Sequence, residues 1–234
     1  MKVMDLFLIT LFSGCLQGMA QRQPQATAGV DVGAGLSNNG WSPSILYHEE
    51  ISPREFRILK AGFGLRTWGY YGGPIDSRSA EGVNVSPDVL KYGRISVNGL
   101  SVVGGLNARF WKMELGANTD LMGLAVGSRR KGLYVGKTGA PGIGAEYYNK
   151  EVVTSPKAFN LIPLFQRHHT GSSELYLRVW LSDVVGVKVG YLAGRISYLT
   201  KKVEQKRIVL DAGQSAFSTH YGLPYVSICF AINE

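Results

Sequence analysis

The chain has 234 residues, of which 30 are glycine, about 13% against a usual ~7%. Hydrophobic residues at 45% and aromatics at 11% exclude a disordered polymer, and the glycines follow no three-residue period, which excludes collagen. Charged residues are only 18%, yet 25 bases against 17 acids leave a net charge of +8, which favours polyanionic partners without selecting one.

Residues 1–20 read as a secretory signal. Lys2 supplies the basic start, Leu6 to Phe12 the apolar centre, and Gly18-Met19-Ala20 the small residues of a cleavage site. A second reading takes Phe12-Ser13-Gly14-Cys15 as a lipoprotein box with Cys15 acylated. The apolar run is too short to span a ~30 Å hydrocarbon core, so an uncleaved anchor is not expected. Residues 21–234 then form one exported domain with Cys229 as its single cysteine, so no internal disulfide holds it. No later stretch of 18 apolar residues marks a membrane helix. The remaining classes are a soluble exported domain and a membrane β-barrel.

Alternation of period two, the signature of strands, recurs along the chain. Val30, Val32, Ala34 and Leu36 oppose Asp31, Gly33 and Gly35. A weaker segment from Pro43 to Glu49 sets Ile45 and Tyr47 against Ser44 and His48. Leu59, Ala61, Phe63 and Leu65 oppose Lys60, Gly62, Gly64 and Arg66. Leu100, Val102, Leu106, Ala108 and Phe110 oppose Ser101, Gly105, Asn107 and Arg109, and Met113, Leu115, Ala117 and Leu121 then oppose Glu114, Gly116, Asn118 and Asp120. Leu175, Leu177, Val179 and Leu181 face away from Glu174, Tyr176, Arg178 and Trp180; Val185 to Ala193 alternate with Lys188, Gly190 and Gly194. Val226, Ile228, Phe230 and Ile232 close the series against Tyr225, Ser227, Cys229 and Asn233. Eight strands are expected.

The connections carry a separate signal. After the first, of about six residues (Ser37 to Ser42), short turns near Pro53, Trp111 and Asp183 alternate with long loops at about 70–95, 127–172 and 198–220. An up-and-down barrel in an outer membrane sorts its connections this way, with short turns inside and long loops outside. Aromatics cluster at the expected strand ends, with Trp41, Tyr70, Tyr71, Tyr198 and Tyr221 outside and Phe56, Phe110, Trp111, Trp180 and Phe230 inside. Two such belts suit the two membrane–water interfaces.

On these features, and on the closing strand Tyr225-Val-Ser-Ile-Cys-Phe-Ala-Ile-Asn, the region from Ala28 to Asn233 resembles the small eight-stranded outer-membrane β-barrels of the OmpA/OmpX kind. The resemblance implies an all-β, eight-stranded antiparallel up-and-down transmembrane barrel. It implies a place in the cell outer membrane with lipid as the immediate partner, and a structural or surface-interaction role without catalysis. A monomer is expected.

Parity assigns Asp31, Lys60, Arg66, Arg109, Glu114, Asp120, Glu174, Arg178 and Lys188 to the lumen, with His48 and Asn118. Eight strands enclose barely enough space for side chains, so these charges are expected to pair and plug the interior rather than line a pore. The loop from Ser128 to Thr170 holds Arg129, Arg130, Lys131, Lys137, Lys150, Lys157 and Arg167 against Glu146 and Glu151, and the last loop is also basic. The patch Arg129, Arg130, Lys131 and Lys137 is a candidate for contact with anionic glycolipid such as lipopolysaccharide, the alternative being an ordinary solvated loop.

Other motifs predict little. Gly132 to Thr138 has three residues between its glycines where a phosphate loop has four, and Pro141 forbids the helix that must follow. The four histidines show no metal-ligand spacing, and no basic–aromatic nucleic-acid module is present. No cofactor, metal or nucleic acid is expected. Two alternatives stay open: a lipid A deacylase-like hydrolase using His168 with Thr170, and a soluble lipocalin-like barrel with an apolar ligand inside. Inward charges speak against the latter.

Overall fold

The computed structural model describes residues 25–52, 58–79, 87–135, 142–161, 168–203 and 206–232. The signal segment with Cys15, and Phe56, Lys137, Arg167 and Asn233, lie outside the described residues. Apart from a 3-10 turn at Ala145–Tyr147, all regular structure among the described residues is strand.

In chain order the first strands are β1 (Gln25–Ser37), β2 (Gly40–Ser52), β3 (Leu59–Gly72), β4 (Ile75–Arg78) and β5 (Val89–Tyr92). Next come β6 (Ile95–Phe110), β7 (Met113–Val126), β8 (Arg130–Tyr134), β9 (Lys150–Pro156) and β10 (Phe159–Leu161). The last are β11 (Gly171–Trp180), β12 (Val185–Thr200), β13 (Lys202–Val203), β14 (Lys206–Arg207) and β15 (Ala216–Ile232). Every pairing is antiparallel, and 13 strands share one sheet.

The expected count of eight needs correction, because the segments read as loops contain strands of their own. The outer circuit of the sheet runs through twelve strands, and a direct β12–β15 pairing divides it in two. One circuit joins β1, β2, β3, β6, β7, β11, β12 and β15, and closes where Ala28–Gly35 meets Tyr225–Ile232. The other joins β12, β15, β4, β5, β8 and β9 above one end of the first. The cause lies in local pattern: Val89–Tyr92 and Arg130–Tyr134 bury alternate residues, but each is four or five residues long. So short a run is indistinguishable from a loop by periodicity.

Within the larger circuit the faces follow parity. Val32, Ile45, Phe63, Leu106, Leu115, Leu175, Val189 and Val226 are all exposed, one or more from every strand, while Asp31, Leu46, Arg66, Ser101, Glu114, Arg178, Lys188 and Ser227 are buried. A register shift at Val102/Val103 places Leu121 and Met122 side by side on the outer face, and beyond it Ala125 turns inward. This is the effect of a bulge, which adds a residue to one strand and resets its alternation.

Close approach explains two of the glycines. A Cβ on Gly116 would stand 2.5 Å from the Tyr176 ring, and one on Gly99 would stand 2.4 Å from the Trp68 ring. Both rings lie inside, flat against a neighbouring strand that has no side chain there. At the opposite end, Trp111 takes φ 55° in the two-residue turn between β6 and β7, and its ring is 85% exposed.

The aromatic belts are only partly as expected. Trp41 and Tyr71 do face outward at the outer end and stack at 5.2 Å. Tyr70 and Tyr198, however, are buried, and Tyr221 packs against Tyr70 at 4.4 Å. The strands continue past the expected rim into the smaller circuit, so rings placed at an interface by strand end become core.

Candidate functional site

The lumen of the larger circuit holds a continuous charge network. Asp31 accepts from Lys188 Nζ at 2.8 Å and from Arg178 Nη2 at 3.1 Å. Arg178 Nη1 reaches Glu114 Oε2 at 2.8 Å and Glu50 Oε1 at 3.5 Å. Lys60 lies between Glu50 at 3.3 Å and Glu114 at 3.4 Å. Nearer the outer end, Arg66 Nη1 meets Asp120 at 3.0 Å and Ser172 Oγ at 2.9 Å, and its Nη2 meets Glu174 at 3.3 Å and Asn118. Lys188 links the two groups, standing 2.8 Å from Glu174 Oε1 as well as from Asp31; the first is a close ion pair without hydrogen-bond alignment.

Eight of the nine lumen residues expected from parity are thus brought together. Arg109 is the exception: 42% exposed at the mouth, it touches Glu114 only at 3.6 Å. Glu50 was missed. It lies one residue past the segment assigned to β2, and the strand continues through Ser52 with Glu50 facing inward. There it also accepts from Asn107 at 2.9 Å and stands 3.2 Å from His48 Nδ1, whose Nε2 is 3.5 Å from Asp31.

Aromatics complete the filling. The Arg178 guanidinium lies 5.5 Å from both the Tyr176 and Trp180 rings, and Lys188 Nζ lies 4.8 Å from Tyr176 and 5.2 Å from Tyr225. A cation over a ring face keeps some of the attraction that it gives up with water. Between His48, Glu50, Leu46, Val103 and Arg178 lies a space of about 30 Å³, room for a water or two. Lined also by Asn107 and Asn118, it does not suit the apolar ligand of a lipocalin-like barrel.

Above the lumen the smaller circuit encloses a different interior. Leu90, Tyr92, Tyr134, Val152, Ile196, Tyr198, Leu210 and Phe217 are buried together. Tyr92 and Tyr198 rings lie 5.3 Å apart, and Tyr92 Oη is 2.9 Å from Thr154 Oγ1. At its edge two carboxylates fasten the connections. Tyr134 Oη lies 3.0 Å from Asp88 and 2.8 Å from Asp211, Tyr148 donates to Asp211 at 2.5 Å, and Asp211 accepts the Gly144 N–H at 2.8 Å. Burial, with these two carboxylates, pushes the Tyr134 hydroxyl far above the ordinary tyrosine range. The Asp211 hydrogen bond raises Tyr148 as well.

The expected basic patch is less uniform than its sequence. Arg129 is exposed, but Arg130 turns in to donate to Ser96 Oγ at 2.6 Å, and Lys131 pairs with Glu151 at 2.9 Å. Lys137 is outside the described residues.

His168 does not pair with Thr170. Thr170 is buried and its Oγ1 accepts the Ser197 N–H at 3.0 Å, whereas His168 Nδ1 lies 2.8 Å from Ser218 Oγ. Ser218 and Ser197 hydroxyls are 2.9 Å apart. Strand pairing across β12 and β15 makes this contact, which no spacing in the sequence could reveal. Among the described residues no group of three or more His, Cys, Asp or Glu side chains is arranged to hold a metal ion.

No family model matches the chain, and no curated protein matches it. Among solved structures it is similar to the crystal structure of Neisserial surface protein A, at 9% identity over 89% of this chain and 99% of that one, with a TM-score of 0.36. A likeness this loose carries no argument, so the all-β antiparallel barrel stands on the strand pairing itself.

Proposed function

We propose that this protein is a non-enzymatic outer-membrane β-barrel with a structural or surface-interaction role, exported by the segment 1–20. Its eight long strands span the lipid, the charge-filled lumen does not conduct, and the smaller circuit stands outside the cell. The observation that carries this reading is the inversion of the two faces. Leucine, valine, isoleucine and phenylalanine are exposed on all eight long strands, while five carboxylates and four Lys or Arg side chains are buried. A water-soluble domain hides its large apolar patches, so a belt this continuous calls for lipid around it. The immediate partners are then outer-membrane lipid and, at the outer end, anionic glycolipid such as lipopolysaccharide. The chain acts as a monomer, without nucleic acid or cofactor.

The test compares folding into lipid of Leu175→Arg, at the fifth of the ten residues of β11, with Leu181→Arg, in the turn below that strand. The first is expected to cost ~2–4 kcal/mol and the second ~0–1 kcal/mol. Equal effects, or a freely soluble product that needs no detergent, would overturn the reading.

One contact favours a second reading, a hydrolase acting on membrane lipid: the His168–Ser218 pair at 2.8 Å, within reach for a base and its nucleophile. Ester release from lipid A by purified protein, lost on Ser218→Ala, would favour it over the first.

A further inference from the structure

The lipid-facing surface is not evenly filled. Three concavities lie in series along it, of about 770, 530 and 260 Å³. The first and second share Leu106, Ala117 and Leu175; the second and third share Thr119, Ser173 and Ala193. They form one trough, descending from the outer end of β12 and β15 across β11 and β7 to β6 and β3. Its origin is side-chain size. Ala61, Ala108 and Ala117 stand opposite Leu106, Leu115 and Leu175 on neighbouring strands, and Ala193 stands between Ser173 and Gly222, so small outward side chains leave room beside large ones.

The trough changes chemistry at its upper end. There Arg195 and His220, paired in register on β12 and β15, are joined by Arg195 Nε donating to His220 Nε2 at 2.6 Å. Beside them Thr119 Oγ1 and Ser173 Oγ are 2.7 Å apart, and His169 lines the same hollow. Arg195 is the sole Lys or Arg at the outward positions of β11, β12 and β15. Its height is informative. It stands opposite Gly171, and β11 runs ten residues from there to Trp180. That is about 30 Å along the strand, or at a tilt of ~40° close to the ~25 Å height of an outer-membrane apolar band. Arg195 therefore sits where headgroups meet acyl chains.

The geometry points to a fixed binding site for one phosphate-bearing, acylated lipid of the outer leaflet, its phosphate on Arg195, Thr119 and Ser173 and an acyl chain in the alanine-floored trough. A guanidinium with nearby hydroxyls matches a phosphate's acceptor oxygens. From Gly104 to Ala108 the trough runs about 14 Å along β6, which at the same tilt descends ~11 Å, within the ~15 Å depth of one leaflet. The inference rests on the reading of the outward face as lipid-facing, and it adds which lipid is held and where.

The test uses the full chain refolded in bilayers of neutral lipid, with lipid A, phosphatase-treated lipid A and inorganic phosphate as probes. Native mass spectrometry reads retained lipid, and heat-modifiable gel mobility reports folding independently. Lipid A is expected to be retained, and its phosphatase-treated form to be retained at least about tenfold more weakly, as is lipid A by Arg195→Gln. Ala117→Leu, which fills the trough, should weaken lipid A to a similar degree with no change in mobility. Wild-type retention by both folded variants would overturn the site while leaving the barrel intact. So would displacement of lipid A by millimolar inorganic phosphate regardless of acylation. Failure of the wild-type chain to enter bilayers would instead remove the reading on which the inference rests.

Discussion

Lumen and roof are both sealed interiors of one sheet, and they are sealed by opposite means. Below, Asp31, Glu50, Glu114, Asp120 and Glu174 are matched against Lys60, Arg66, Arg178 and Lys188. Above, Tyr92, Tyr134, Tyr198, Phe217 and Leu210 pack as an ordinary apolar core. The difference follows from what surrounds each. On the proposed placement in a membrane, the outward positions of the long strands must be apolar and the lumen receives the polar side chains, which must then satisfy one another. The smaller circuit, which that placement puts in water, follows the usual rule of soluble domains, with apolar residues inside and Arg129, Lys131 and Glu151 exposed.

The sharpest way to break this comparison is Arg178→Met. It strips Asp31, Glu50 and Glu114 of a shared partner, and uncompensated buried charge costs ~3–5 kcal/mol. Urea titration in bilayers should show that loss across the whole barrel, with the roof following. Gly116→Ala probes packing rather than charge, since its new Cβ would stand 2.5 Å from Tyr176. Overpacking of this kind costs ~1–3 kcal/mol, read in the same titration. Tyr92→Phe removes the hydrogen bond to Thr154, worth ~0.5–1.5 kcal/mol. Its effect should be confined to the roof, so hydrogen exchange should quicken in β5 and β9 and stay unchanged in β1 and β2.

The two-part character of the molecule was half legible in its sequence. Alternation marked the eight long strands and eight of the buried charges, because a strand with one apolar exposed face and one charged buried face leaves little freedom in its alternate residues. Glu50 escaped because β2 alternates weakly, and Pro43 and the pair Glu49-Glu50 blur its end. The roof escaped for a different reason. Its strands are short, and Tyr70 and Tyr198 bear the same aromatic rings that an interface would use. The trough headed by Arg195 depends on which strands are neighbours, as the His168–Ser218 contact does. Such facts are carried by pairing, not by spacing along the chain.

The smallest expected effect is a pH dependence that separates the regions. The Tyr134 hydroxyl is held above its ordinary range by burial and by the Asp211 and Asp88 carboxylates, and Tyr148 by Asp211. A raised folded-state pKa stabilises fully below the unfolded value near ~10 and is lost as pH rises through the folded one. Proteolysis should therefore begin to cut around Gly144 and Asp211 only well into alkali, while the lumen strands stay protected.

The central claim is that apolar positions face lipid while their neighbours in the same strand face a closed lumen filled by side chains. It is tested most directly in β15, where exposed Val226, Ile228 and Phe230 flank the buried Cys229. In the bilayer-embedded protein, nitroxides at positions 226, 228 and 230 should be relaxed by oxygen dissolved in the lipid. The native Cys229 thiol should resist a water-soluble reagent until the chain is unfolded. Relaxation of those nitroxides by an aqueous reagent, or prompt modification of Cys229 in the folded protein, would contradict it.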